Sequence, residues 1–284
     1  MTPQLLQHAA GPDKGDVTTW HQDISRQRAF DDCITLPART AKPREQGLTF
    51  VLDQGMNLFQ LRDFLADAAP YIDLAKLGWG TSRLFQTTRL RAKIRTLRDH
   101  AIRVCPGGTL LELAVVHNCV EAFLHEAASL GFNCVEVSDG TIVMSHTTKL
   151  HLIRTAKALG LGVVSEVGKK VPFEDKFLKL ETRIFQATAE LEAGAWKVII
   201  EGRESGSVGV YNATGEVQTD DVDALVQAIG LPNLVFETPQ KAQQIWFCKQ
   251  FGNQVNVGNI APTDVIPLET LRTGLRADTL KAMH

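Results

Sequence analysis

Short runs rich in Val, Ile and Leu, bounded by Gly or Pro, recur eight times along this chain, and each is followed by a helical stretch. The runs occupy residues 47–53, 71–77, 101–107, 134–140, 161–167, 196–202, 234–239 and 254–260. Near-continuous apolar runs of this kind are the mark of parallel strands buried on both faces. The intervening segments carry helix signals. NLFQLRDFLADAAP places Leu58, Leu61, Phe64 and Leu65 on one face. TSRLFQTTRLRAKIRTLRDH opens on the N-cap types Thr81 and Ser82. Three further stretches, each read as one helix, end at Gly131, Gly160 and Gly194. DDVDALVQAIG has acids in its first turn. PQKAQQIWFCKQFG and PLETLRTGLRADTL each open with Pro at or near the first helical position. Strict β-then-α alternation demands a parallel sheet with right-handed crossovers. Eight units within 284 residues favour closure into a (β/α)8 barrel, the TIM barrel, over an open doubly wound sheet. The expected organisation is an N-terminal arm over 1–46, packing across the barrel bottom or against a neighbouring subunit, and the barrel over 47–284.

Several function classes drop out. Thirty Lys and Arg against 32 Asp and Glu leave no global footprint for nucleic acid or an anionic membrane. No apolar run reaches the roughly 18 residues of a membrane span, and the first residues lack a secretory signal. The expectation is a cytoplasmic protein. The five cysteines contain no CxxC pair, which argues against a disulfide framework or zinc knuckle. His125-Glu126 begins HExxH, but Ser129 stands where the second histidine belongs. GxSxG, GxGxxG and GxxxxGK[ST] are all missing. The four tryptophans read as core or interface residues.

In a (β/α)8 barrel the chemistry lies at the C-terminal ends of the strands. Read this way, the sequence offers Asp53; Lys76 followed by GWGTS; the PGGT turn and Glu112; Glu136, Ser138 and Asp139; Glu166 followed by Gly168-Lys169-Lys170; Glu201 and Arg203; Glu237; and Gly258-Asn259. Carboxylates converging on one mouth repel unless a cation neutralises them. Oxygen ligands suit a hard divalent ion such as Mg²⁺, which usually shares itself with a substrate oxyanion. Neighbouring Lys and Arg suit an anionic substrate, and backbone N–H groups of PGGT and GNIAPTD suit a phosphate. Together these point to metal-assisted chemistry on a phosphorylated, carboxylated small molecule. Lys170 itself reads as a solvated residue.

The segments KPREQGLTFVLDQG, YIDLAKLGWGTS, CPGGTLLE, GFNCVEVSDGTI, VVSEVGKK, VIIEGRESG and VNVGNIAPTDVIPLETLRTGLR together resemble the phosphosulfolactate synthase family. The resemblance spans roughly residues 42–280, with the motifs in order. It implies a TIM barrel, dependence on Mg²⁺, and addition of sulfite to phosphoenolpyruvate to give (2R)-2-phospho-3-sulfolactate. In methanogens that product feeds coenzyme M biosynthesis; in some bacteria it leads to sulfolactate. The resemblance also reaches plant heat-stress-associated proteins without evident catalysis; Asp53-Gln54-Gly55 and GRESG tilt this chain toward the enzyme. Fold alone leaves the nucleophile open. For the implied reaction, position and charge suggest Lys76 as the proton donor, its pKa lowered by nearby cations, with Lys169 the alternative. Asp53, Glu136, Glu166 and Glu201 are the candidates for the metal and its surroundings. Arg203, Lys169, Gly107, Gly108, Ser138, Gly258 and Asn259 are the candidates for substrate binding. The expected partners are phosphoenolpyruvate and sulfite, with no nucleic acid or membrane; the arm makes a homo-oligomer the expected assembly.

Overall fold

The structure, a computed structural model, describes residues 28–284. Most of the expected arm lies outside the described residues. Of two compact units, the one that holds the barrel runs from Pro37 to His284. Its eight strands are β1 (Thr49–Asp53), β2 (Leu74–Leu77), β3 (Arg103–Cys105), β4 (Cys134–Val137), β5 (Gly162–Val167), β6 (Lys197–Ile200), β7 (Leu234–Glu237) and β8 (Val257–Ile260). All ladders are parallel, and the hydrogen-bonded order is β3-β2-β1-β8-β7-β6-β5-β4. Among the described residues no ladder joins β3 to β4, although the two strands are neighbours. The Asn133 side chain bridges that seam, its Oδ1 accepting the Val104 N–H at 2.8 Å. The result is a nearly closed (β/α)8 barrel.

Period-two alternation builds the interior in layers. Phe50, Leu74, Cys105, Cys134, Val164, Ile199 and Val235, one from each of β1 to β7, form one buried inner cluster. Two positions further along each strand stand Leu52, Lys76, Gly107, Glu136, Glu166, Glu201 and Glu237, all lining one cavity at the mouth. An apolar floor therefore underlies a charged layer. The alternate residues, such as Val51, Ala75, Val104, Val198 and Ile200, face outward into the core beneath the helices.

The helices are α1 (Leu58–Ala68), α2 (Thr87–Asp99), α3 (Gly108–Val116), α4 (Val120–Leu130), α5 (His146–Ala158), α6 (Pro172–Asp175), α7 (Leu180–Ala193), α8 (Thr219–Ile229), α9 (Lys241–Phe251), α10 (Val265–Arg272) and α11 (Leu280–Met283). Three stretches read as single helices are each divided. Thr81–Arg83 is a separate 3₁₀ turn, and α2 starts six residues after Thr81. The stretch ending at Gly131 breaks at Asn118, whose φ of 52° is left-handed and terminates α3. The stretch ending at Gly194 divides into α6 and α7. The expected prolines also move: Pro239 precedes the α9 cap Gln240, and Pro267 is the third residue of α10. A first-turn N–H has no intrahelical acceptor, so proline costs little at such a position.

Residues 37–46 run across the barrel bottom. Arg39 pairs with Glu269 at 2.8 Å and Arg44 with buried Asp73 at 3.0 Å. Lys42 Nζ donates to the terminal carbonyls Ala69 O and His100 O, each at 3.0 Å. Fully buried Arg272 donates to Asn253 O, Val255 O and Leu48 O at 2.7–3.0 Å, pinning the segments around the β1–β8 seam. Among the described residues no helix is long and apolar enough to cross a membrane.

Candidate active site

The mouth of the barrel holds a cavity of about 270 Å³. Four buried glutamates line it, Glu136, Glu166, Glu201 and Glu237, each no more than 1% exposed, with Glu204 at the rim. Two ammonium groups answer them. Lys76 Nζ lies 3.1 Å from Glu136, 3.1 Å from Glu237 and 3.8 Å from Glu166. Lys170 Nζ lies 3.0 Å from Glu166 and 3.8 Å from Glu201. Arg203 and Glu204 pair with each other at the rim, at 3.4 Å. Four buried carboxyl groups thus face two ammonium groups in the inner site, so they crowd one another.

Burial and these charges fix the protonation states. Burial pushes the Glu201 carboxyl well above its ordinary value, and the neighbouring Glu166 and Glu237 add to the rise. Burial also raises Glu136 against the pull of Lys76. For Glu166 burial acts upward as well, but Lys170 and Lys76 outweigh it and hold the carboxyl at about 2. Lys76 departs from expectation. Burial pulls its pKa down, but Glu136, Glu237, Glu166 and Glu201 raise it well above the ordinary lysine value. Its carboxylate neighbours outweigh the nearby Lys170, so it stays a charged ammonium. Positive charge placed among these glutamates would draw it back toward the working range.

The carboxylates can hold a divalent cation. Oxygens of Glu166, Glu201 and Glu237 lie within 4.8 Å of one another. Glu166 Oε2 and Glu201 Oε2 are buried without a directed hydrogen bond, 3.8 Å from Lys76 Nζ and Lys170 Nζ respectively. Buried oxygens rarely lack such partners, and an oxygen-only donor set suits a hard ion. Here the protonation states give a test. A carboxyl with a raised folded pKa contributes stability fully present below its unfolded pKa, about 4.5, and lost as pH rises through the folded value. Glu201 and Glu136 both act in this direction. Without divalent ions, the thermal midpoint of the wild type relative to Glu201→Gln is expected to fall as pH rises from about 5 to about 8. Saturating Mg²⁺ is expected to flatten that difference; a slope unaffected by Mg²⁺ would remove the cluster from metal binding.

The other candidates fall in different places. Asp53 is not in the cavity. Leu52 faces inward, so Asp53 must face outward, where buried Lys93 of α2 meets its Oδ2 at 2.6 Å. Its Oδ1 accepts the Gly55 and Met56 N–H groups at 2.8 and 2.9 Å, so it shapes the loop after β1. Lys169 also turns away. Its Nζ donates to Asp139 Oδ2 at 2.8 Å and Asp139 O at 2.6 Å, while the next residue, Lys170, enters the cavity in place of facing solvent. Ser138 is buried and donates to Glu112, which also holds the Gly140 and Thr141 N–H groups at 3.0 Å. Gly258 faces the inner apolar layer beside Val235 and Phe50, and the left-handed Asn259 after it enters the cavity with its buried Oδ1 unpartnered.

Gly107 and Gly108 line the cavity, but the Gly108 N–H already donates to Glu136 Oε1 at 2.8 Å. A Cβ on Gly108 would strike Ser138 Oγ and Glu136, so only glycine fits there. Helix α3 begins at this point with no side-chain cap, and Thr109 and Leu110 of its first turn line the same cavity. Their positive helix end can receive an anion, as expected of the PGGT turn. Arg203 sits at the rim with Nη1 on Lys170 O at 2.7 Å; its backbone N–H donates to Glu201 and Glu237 at 2.7 and 3.0 Å. Glu237, Lys170 and Trp79 are among the cavity residues to which sequence reasoning gave no role. Trp79 is 60% exposed at the mouth and not core. The signal for Glu237 was present: Val235-x-Glu237 repeats the inward spacing of Val164-x-Glu166.

Fold and site together define a (β/α)8-barrel protein whose mouth can hold a divalent cation among buried acids, flanked by lysines and a helix N-terminus. Residues 37–278 match the model of the family (2R)-phospho-3-sulfolactate synthase (ComA), and the chain belongs to that family. It is 44% identical to the phosphosulfolactate synthase of Methanocaldococcus jannaschii over 83% of this chain and 94% of that protein. It is 40% identical to that of Methanothermobacter thermautotrophicus, over 89% of this chain and 97% of that protein. Among solved structures, 3-hexulose-6-phosphate synthase from Salmonella typhimurium shares the barrel at a TM-score of 0.52 and 13% identity, covering 83% and 98% of the two chains.

Proposed function

We propose that this protein is a phosphosulfolactate synthase, adding sulfite to phosphoenolpyruvate to give (2R)-2-phospho-3-sulfolactate. The observation that carries the reading is the layer of Lys76, Glu136, Glu166, Glu201 and Glu237 lining one cavity above an apolar floor, in a chain of this family. A cavity of about 270 Å³ suits a substrate of this size. The trio Glu166, Glu201 and Glu237 would hold Mg²⁺, which supplies Lewis-acid stabilisation to a substrate carboxylate when bound.

The chain's own groups supply the rest. The first turn of α3 at Thr109–Leu110, which lines the cavity, receives the phosphate with its N–H groups and positive dipole end. Asn259 and Lys170 add polar and cationic contacts to the bound anions. The sulfite sulfur lone pair forms the bond to C3. The C2=C3 electron pair moves toward the carboxylate, and C2 then takes a proton while the phosphate ester stays intact. Lys76 is the donor: it is fixed on β2, it faces the cavity, and its carboxylate neighbours keep it protonated. A rigid strand presents that proton to one face of C2 and so sets the R configuration.

The direct test is incubation of purified protein with phosphoenolpyruvate, sulfite and Mg²⁺, with and without a chelator, followed by mass spectrometry. The expected result is phosphosulfolactate that the chelator suppresses. Absence of product while phosphoenolpyruvate still protects the fold against heat would leave the site and change the nucleophile.

A further inference from the structure

Six residues other than glycine have left-handed φ values among those described, and three of them, Trp79, Arg203 and Asn259, line the one cavity. Such backbone strain gathers at functional sites because the surroundings must enforce it. Trp79 is the extreme case, since a bulky aromatic disfavours this region far more than asparagine does. Trp79 (φ 54°) and Gly80 (φ 66°) are consecutive left-handed residues, closed by the Thr81 N–H donating to Gly78 O at 3.0 Å. Asn or Gly is the usual occupant of such a turn.

The turn is held from several sides. The Gly78 N–H donates to Asp53 O at 3.0 Å, and Thr81 Oγ1 donates to Gly78 O at 2.8 Å. A Cβ on Gly78 would collide with Leu52, so the backbone lies against the barrel wall. What this arrangement presents is an indole at the cavity mouth, 60% exposed. Burial in the core does not explain it.

We propose that Trp79 is a substrate-contacting residue whose indole covers phosphoenolpyruvate in the cavity and keeps bulk water from the reacting carbon. The inference rests on the function proposed above. Once sulfur has bonded to C3 and the π pair has moved onto the carboxylate, C2 accepts a proton from whatever donor reaches it. Water at the open face would protonate that side and erode the single configuration that Lys76 imposes. An apolar cover at the mouth removes this competitor, and the hydrogen bonds that enforce the strained turn hold the cover in place.

The test compares wild type with Trp79→Gly and Trp79→Phe in steady-state kinetics, chiral analysis of product, and tryptophan fluorescence titrated with phosphoenolpyruvate and Mg²⁺. Glycine adopts the left-handed region freely, so Trp79→Gly is expected to melt near the wild-type temperature. Its KM for phosphoenolpyruvate is expected to rise about tenfold or more, with some S product appearing. Trp79→Phe is expected to restore most of both and to lose the ligand-induced fluorescence change, although the other tryptophans remain. Wild-type KM and stereochemical purity in Trp79→Gly, with the fluorescence change persisting in Trp79→Phe, would overturn the proposal while leaving the reaction in place. A Trp79-dependent fluorescence change in a wild type that makes no product would support the contact and overturn the reaction. A wild type that neither turns over nor binds phosphoenolpyruvate would overturn both.

Discussion

Lys76→Ala is expected to lower kcat by roughly 10²–10⁴-fold, the usual worth of a positioned general acid. The same change has a second effect. Lys76 is within 3.8 Å of Glu136, Glu166 and Glu237, and stranding buried carboxylates without their partner costs about 3–5 kcal/mol unless they take up protons. The thermal midpoint is therefore expected to fall as well, most at alkaline pH. Lys76→Arg separates the two effects. A guanidinium retains the charge but holds its proton more tightly than an ammonium and is a poor proton donor. It is expected to recover much of the stability and little of the turnover. Full recovery of kcat by arginine would reduce Lys76 to a counter-charge. Lys170→Ala is the companion measurement: with Lys170 placed as an anion contact, its KM for phosphoenolpyruvate is expected to rise more than its kcat falls.

The barrel was legible because eight apolar runs alternate with helical stretches, and parallel strands covered on both faces need no subtler signal. The divisions within helices were less so. The break at Asn118 depends on one left-handed residue in an otherwise continuous pattern, and asparagine in a helical stretch is only weakly diagnostic. The seam between β3 and β4 had no local signature, because it is set by the Asn133 side chain reaching across to Val104.

The site was half legible for a geometric reason. Strand ends alone do not say which residues point inward; the two-residue alternation does. Counting from the apolar floor, Val164 to Glu166 and Val235 to Glu237 are equivalent steps, whereas Asp53 stands one residue past the inward Leu52. The same one-residue offset separates Lys169, bound to Asp139, from Lys170 in the cavity. Gly108 was expected to offer its backbone N–H to a phosphate, but that N–H is committed to Glu136, a fact of tertiary contact that no spacing encodes. The expected lowering of the Lys76 pKa failed likewise, because the sequence holds enough lysine and arginine to suggest cationic neighbours and does not reveal that glutamates surround it.

Glu201→Gln and Glu166→Gln are expected to separate metal binding from stability, although both remove one carboxylate from the same trio. Burial and neighbouring acids already favour the protonated form of Glu201, so an uncharged amide there resembles the metal-free state. Its thermal midpoint without divalent ions is expected to match or exceed that of the wild type at neutral pH. Glu166 is the opposite case: Lys170 and Lys76 hold it ionised, with its carboxyl at about 2. Stability from a depressed carboxyl is present above the unfolded pKa, about 4.5, and is lost as pH falls through the folded value. Glu166→Gln is therefore expected to melt lower at neutral pH without any metal. Mg²⁺ titration then brings the two variants together. A wild type that binds the ion only when folded gains about 2.7 kcal/mol at one hundred times Kd. Both variants are expected to lose most of that gain and to bind Mn²⁺, followed by calorimetry without substrate, at least about tenfold more weakly. If Glu201→Gln kept the full Mg²⁺-induced rise in melting temperature, the ion would have to sit elsewhere than among Glu166, Glu201 and Glu237.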